Sequence, residues 1–226
     1  MQTIITNNRP FNADELVFSD DVYTTPHGCK LVNFFYKERR GMVLQTGPMK
    51  TTAGIKVFGN NTENITLLLN FEDRMDSFIH IFNSIDDAIM DNIIPNSGKW
   101  FNKQLTCTKK DLISMDKYVS MIKETDGYNP SIRPKLKFKD GRPTFTIFNE
   151  DRERIQCNTL EDLQSLIVKG SRIQVLLQSS SIWNSSNRIG VSWNILQIML
   201  LKSSDMSENM DLEECLFLDD GTPSSI

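Results

Sequence analysis

The chain has 226 residues, 39% hydrophobic and 24% charged. That fits one large globular domain or two small ones and excludes a disordered chain or a disulfide-stapled miniature. The net charge of -4 hides an asymmetry: residues 1–98 carry -4, residues 99–202 carry +7 and residues 203–226 carry -7, a basic middle followed by a purely acidic tail.

Residues 1–27 read as an extended arm with Leu16–Phe18 docking locally. CKLVNFFYK and GMVLQT flank KERRG, and GIKVF and ITLLL flank GNNTEN, so two hairpins are expected. Across 72–93, Met75, Phe78, Ile79, Phe82, Ile85, Ile89 and Ile93 recur at spacings of three and four. This predicts a helix with one apolar face, capped near Asn70, carrying Asp86, Asp87 and Asp91 on its wet side and ended by Pro95, Asn96 and Gly98. A weaker helix is expected over 108–124, with Leu112, Met115, Val119 and Ile122 inward and Lys109, Lys110, Lys117 and Lys123 outward. Asp126–Pro130 is a break. SIRPKLKFKDGRPTFTIF reads as two strands around Asp140-Gly141, a type I′ turn signal. A short strand at 153–157 follows, then a short helix in NTLEDLQSLIVKG, then two long strands around NSSN. The tail from Ser203 has no core pattern and is expected to be flexible.

The stretch around Asp140-Gly141 carries the chemistry. A two-residue loop places Lys139 opposite Arg142, Phe138 opposite Pro143, Lys135 opposite Thr146 and Arg133 opposite Phe148. Strand side chains alternate between faces. Leu136, Phe138, Pro143, Phe145 and Ile147 therefore share a face that can be buried. Arg133, Lys135, Lys137, Lys139 and Arg142 share the other, with Phe148 among them. A like-charge pair directly across a ladder is unfavourable, and folding alone does not need one; a polyanion lying on the face offsets it. Single-strand phosphates suit such a row, and every base offers a face for aromatic stacking. The competing reading is a solubilising sheet face or a lysine-protected edge strand. Trp100 and Phe101 between basic residues, Tyr128 before the basic stretch, and Trp183 beside Arg188 complete the candidate nucleic-acid-binding set.

Catalysis has no local support. His27 and His80 are the only histidines, and Cys29, Cys107, Cys157 and Cys215 are far apart, which reads as reduced intracellular thiols rather than a zinc site. GxxxxGK[ST] and GxGxxG are absent. No cofactor, no metal and no enzyme activity are expected. No apolar run approaches the ~18 residues of a transmembrane helix, and the N-terminus lacks a signal-peptide pattern.

The order strand–strand–strand–helix–strand–strand from Arg133 to Leu201 is the plan of a five-stranded OB-fold barrel. IRPKLKF, LEDLQSLIVKGSRIQVLLQSSSIW and RIGVSWNILQIMLL resemble the single-stranded DNA-binding proteins of large nucleocytoplasmic DNA viruses over roughly residues 128–201. The resemblance implies a mainly β fold with a few helices, an OB-type barrel that binds single strands in viral DNA replication, with Arg133, Lys135 and Lys137 on the DNA-facing strand. The expected organisation is one domain over 1–202, its core at 128–202 with N-terminal hairpins and helices added, and an acidic tail at 203–226. The expected partner is single-stranded DNA, with RNA as a variant, in the host nucleus or a cytoplasmic virus factory. Docking of replication proteins on the tail and self-association are further expectations. The acidic tail is similar in kind to those of bacterial and phage single-strand binding proteins, although GTPSSI follows Asp220 where theirs end in an aromatic. The alternative is a protein-interaction or virion-structural module whose basic face meets an acidic protein surface.

Overall fold

The computed structural model describes residues 4–6, 11–37, 42–57, 65–72 and 76–202. The expected turns at Gly41 and in GNNTEN, the apolar Met75, and the acidic tail lie outside these residues. Strands β1 (Ile4–Ile5), β2 (Leu16–Thr24), β3 (Lys30–Tyr36), β4 (Val43–Gln45), β5 (Met49–Lys56) and β6 (Ile65–Phe71) form the first half. Helices α1 (Asp76–Phe101) and α2 (Lys109–Ser114) follow. Then come β7 (Tyr118–Val119), β8 (Lys123–Thr125), β9 (Tyr128–Ile132), β10 (Lys135–Leu136), β11 (Phe138–Lys139), β12 (Arg142–Pro143), β13 (Thr146–Phe148) and β14 (Arg154–Ile155). Helix α3 (Leu160–Leu166) precedes the two long strands β15 (Arg172–Ser185) and β16 (Arg188–Leu201).

The fold is mainly β, and its centre is a closed ring. Strand β5 pairs antiparallel with β6, β6 with β10, and β10 runs parallel to β16; β16 pairs antiparallel with β15, which returns to β5. Five strands in this order, with α3 between the third and fourth, make an OB-like barrel. Strict alternation builds its interior: Ile65, Leu67, Leu69 and Phe71 of β6 are all buried, and the residues between them are half-buried. Helix α1 packs on the barrel through Phe78, Phe82, Ile85 and Ile89. Phe82 meets Trp193 and Phe71 edge-on, at centroid distances of 5.9 and 6.3 Å.

The barrel begins earlier than expected. Its first two strands are β5 and β6, not members of the 133–157 stretch, so the second predicted hairpin is part of the core rather than an elaboration. Among the described residues the two strands of the first predicted hairpin do not pair with each other: β3 pairs with β2 and β15, and β4 with β1 and β15, one after the other along the same long strand. Helix α1 passes through Pro95, because Ile93, Ser97, Trp100 and Phe101 keep burying the same side. The predicted helix over 108–124 stops at Ser114. Thr108 and Asp111 form a capping box that starts it, but Asp116 adopts φ 52° and the chain turns into β7 and β8. The expected break at Asp126-Gly127 is a hairpin turn joining β8 to β9, with Gly127 at φ 78°.

Candidate nucleic-acid interface

Strands β9 and β10 form one run along β6. Ser131 pairs with Asn70, Ile132 with Leu69, Lys135 with Thr66 and Leu136 with Ile65. Between them the Leu67 N–H donates to the Pro134 carbonyl at 3.1 Å. Ile132, Pro134 and Leu136 are buried, so alternation sends Arg133, Lys135 and Lys137 outward; Arg133 and Lys137 are exposed and Lys135 is half-buried. The turn is the expected one: Asp140 at φ 51° and Gly141 at φ 74° bring Lys139 opposite Arg142 and Phe138 opposite Pro143. No side chain among Arg133, Lys135, Lys137, Lys139 and Arg142 is in an ion pair with any of the described residues.

The ribbon is shorter than predicted. Past the Thr144 N–H bond to the Lys137 carbonyl (2.9 Å) the arms part. Strand β10 enters the gap between β6 and β16, whereas β13 pairs with β16 further along, Phe148 beside Met199. Arg133 and Phe148 are therefore not partners. Phe148 lines a separate depression of about 480 Å³ with Arg152, Gln174 and Met199, away from the cations it was expected to join.

Arg133 and Lys135 instead line a groove of about 290 Å³ together with Lys123, Ser131, Val119–Met121, Trp183 and Val191–Trp193. Lys123 comes from β8, opposite Ser131 of β9. Trp183 is half-buried and lies across the ladder from Gly190. The indole sits close against Gly190 and keeps part of its surface exposed. Trp193 is buried, and its indole N–H has no acceptor among the described residues.

The remaining predicted residues separate. Tyr128 is 75% exposed at the β8–β9 turn, across from Thr125. Trp100 and Phe101 are 2% and 8% exposed core residues. Their side chains belong to the apolar face of α1, which corrects their place in the candidate set. Arg188 donates to both carboxylate oxygens of Asp116, at 2.6 and 2.7 Å, and to its carbonyl at 3.2 Å. It is engaged, not a free cation.

Asp86 was expected on the wet side of α1 and is buried, 4% exposed. It accepts hydrogen bonds from the Tyr118 hydroxyl (2.7 Å), the Ser120 hydroxyl (2.7 Å) and the Met121 N–H (3.0 Å). Burial pushes its carboxyl above the ordinary carboxylate range, although all three donors favour the anion. The same burial, with Asp86 alongside, raises the Tyr118 phenol. Asp86 thus ties α1 to residues 119–121, which line the groove. Lys123 and Asp86 are the two contributors that sequence reasoning missed. A hairpin reading of Asp126-Gly127 was the signal that would have found Lys123.

Among the described residues, no group of three or more His, Cys, Asp or Glu is placed to hold a metal ion. No described helix is long and apolar enough to cross a membrane.

No protein-family model matches the chain, and no curated protein matches it. Among solved structures it is similar to the single-stranded DNA-binding protein from bacteriophage Enc34, with a TM-score of 0.46 and 11% identity, covering 80% of this chain and 89% of that one. The same phage protein in complex with single-stranded DNA gives 0.45 and 10%, covering 80% and 94%. The single-stranded DNA-binding protein gp2.5 encoded by bacteriophage T7 gives 0.46 and 8%, covering 81% and 98%.

Proposed function

We propose that the chain binds single-stranded DNA with little regard to sequence, in DNA replication, recombination or repair, and does so without catalysis. One observation carries the reading: Arg133, Lys135 and Lys123 line the same groove as the half-buried indole of Trp183. Cations at strand spacing neutralise successive phosphates, and stacking on an indole tolerates any base because each has a π-face. A duplex keeps its bases stacked on one another and presents none to Trp183, so the groove favours single strands. Lys137 and the Lys139/Arg142 tip extend the same positive side beyond the groove.

The resemblance of residues 128–201 to proteins of large nucleocytoplasmic DNA viruses supports a viral setting inside the cell. Residues 203–226 hold seven acidic residues and no basic one. To them we assign attraction to this positive side in the absence of DNA, or contact with replication proteins. Self-association belongs to the same proposal.

Anisotropy titrations with labelled oligo-dT, the matching RNA and a duplex of equal length test the reading. Tight binding of the single strand and weak binding of the duplex is expected. Equal binding of both, or none, rejects it. Preference for the RNA oligomer moves the assignment to RNA, where the sugar hydroxyl makes the difference.

A further inference from the structure

Two lysines stand apart from the groove, on the other side of the β15–β16 turn. Lys103 follows the end of α1, where Asn102 adopts φ 57° and redirects the chain. Lys117 leads into β7; its N–H donates to the Leu112 carbonyl (2.9 Å) and its own carbonyl accepts from the Ile189 N–H (2.7 Å). With Asn184, Asn187 and Leu105 they line a cavity of about 220 Å³. The Lys103 ammonium donates to Asn187 Oδ1 at 3.4 Å.

Two acids lie nearby, and the Asp111 carboxylate attracts the Lys117 ammonium without an ion-pair contact. Asp116 is held by Arg188, and Asp111 accepts from the Thr108 N–H and hydroxyl, both at 2.8 Å. Neither Lys103 nor Lys117 is in an ion pair with a described residue. Two ammonium groups and two side-chain amides against an apolar wall form a donor-rich recess suited to an anion.

Placement relates this recess to the groove. Trp183 and Asn184 are successive residues of β15, so their side chains leave opposite faces of the hairpin. The hairpin turns tightly at Ser186 and Asn187, with φ of 49° and 71°, and Asn187 itself lines the recess. We propose that the recess is a second phosphate subsite, and that a single strand leaving the Trp183 groove passes over this turn to set its phosphodiester on Lys103 and Lys117. The inference rests on the groove binding single-stranded DNA.

Oligo-dT of about 4 and about 16 nucleotides, the range of site sizes for one OB-type domain, separates the two sites. The variants are Lys103→Ala/Lys117→Ala and, as a control outside the recess, Lys110→Ala. The double variant should bind the short oligomer like the parent and lose roughly 10-fold on the long one. Its log–log salt slope on the long oligomer should be shallower by about 1.4, the value for two single-strand phosphates. Equal losses on both lengths, no loss on the long oligomer, or the same loss from Lys110→Ala would overturn the subsite. If the parent protein binds neither length, it is the groove reading that fails.

Discussion

Trp183 lies so close over Gly190 that a Cβ at residue 190 would come within 2.7 Å of the indole Cζ2 and 3.1 Å of the Val119 carbonyl. The glycine is required by this close approach. Gly190→Ala should push the indole off the strand, with an overpacking cost of about 1–3 kcal/mol. Binding should weaken with it. Trp183→Ala, which leaves the backbone room intact, should lose about 1–3 kcal/mol of affinity, the range for one stacked base. Trp100 is buried away from the groove, and Trp193 borders it but is only 3% exposed, so most of the quenching of tryptophan fluorescence by oligo-dT should come from Trp183. A full quench surviving in Trp183→Phe would place the bases elsewhere.

On the proposed reading, Arg133, Lys135, Lys137 and Lys123 neutralise about four phosphates of a short oligomer, which sets a log–log salt slope near -3. Raising salt from ~50 to ~200 mM should then weaken binding roughly 50-fold. Arg133→Ala/Lys135→Ala should flatten the slope by about 1.4. Titrations at four salt concentrations measure it, and an unchanged slope would remove this strand from the interface.

Much of this site was legible because period two survives changes of partner. Ile132, Pro134 and Leu136 face inward and Arg133, Lys135 and Lys137 outward, as alternation required, even though the strand pairs with β6 and β16 rather than with 144–148. The Asp140-Gly141 turn was equally legible because its φ values depend on two adjacent residues. What local pattern could not supply was the choice among distant partners. Strand β15 collects β3, β4 and β5 from more than 100 residues away, and nothing local in KLVNFFY or MVLQ marks them as its neighbours. The same limit hid Asp86. Its three donors lie 32 to 35 residues along the chain, so its helix position alone read as solvent-facing. Trp100 and Phe101 lie in the core because Pro95 does not end the helix: the burial of Ser97, Trp100 and Phe101 carries it through.

Lys139 opposite Arg142 is a like-charge pair at the tip of a two-residue turn. Arg142→Glu replaces it with an opposite-charge pair, a change of roughly 0.2–1 kcal/mol in favour of the ribbon. Slower amide exchange at residues 139 and 142, the hydrogen-bonded pair of the turn, should accompany weaker DNA binding. Faster exchange, or unaltered affinity at low salt, would mean that the tip is arranged for something other than a polyanion.

Asp86 gives a prediction in pH. Its folded-state pKa is raised by burial against three hydrogen bonds that favour the anion. A raised carboxyl contributes stability that is fully present below its unfolded value, about 3.9, and is lost as pH rises through the folded value. The carboxyls of Glu15, Asp111 and Asp162 are shifted the opposite way by their hydrogen bonds. They favour the fold above the unfolded carboxylate range and release it on acidification. Those contributions are common to the parent and to Asp86→Asn and cancel in their difference. Denaturant unfolding of both proteins from about pH 4 to pH 7 should therefore show the parent losing stability relative to Asp86→Asn as pH rises. A flat or inverted difference would place the Asp86 carboxyl at or below the ordinary range. Asp86→Ala leaves the Tyr118 hydroxyl, the Ser120 hydroxyl and the Met121 N–H without their acceptor, a cost of about 2–5 kcal/mol. Because Ser120 and Met121 line the groove, its affinity for oligo-dT should also fall at temperatures well below its unfolding midpoint. Retained affinity in that variant would mean that residues 119–121 hold their place without the anchor.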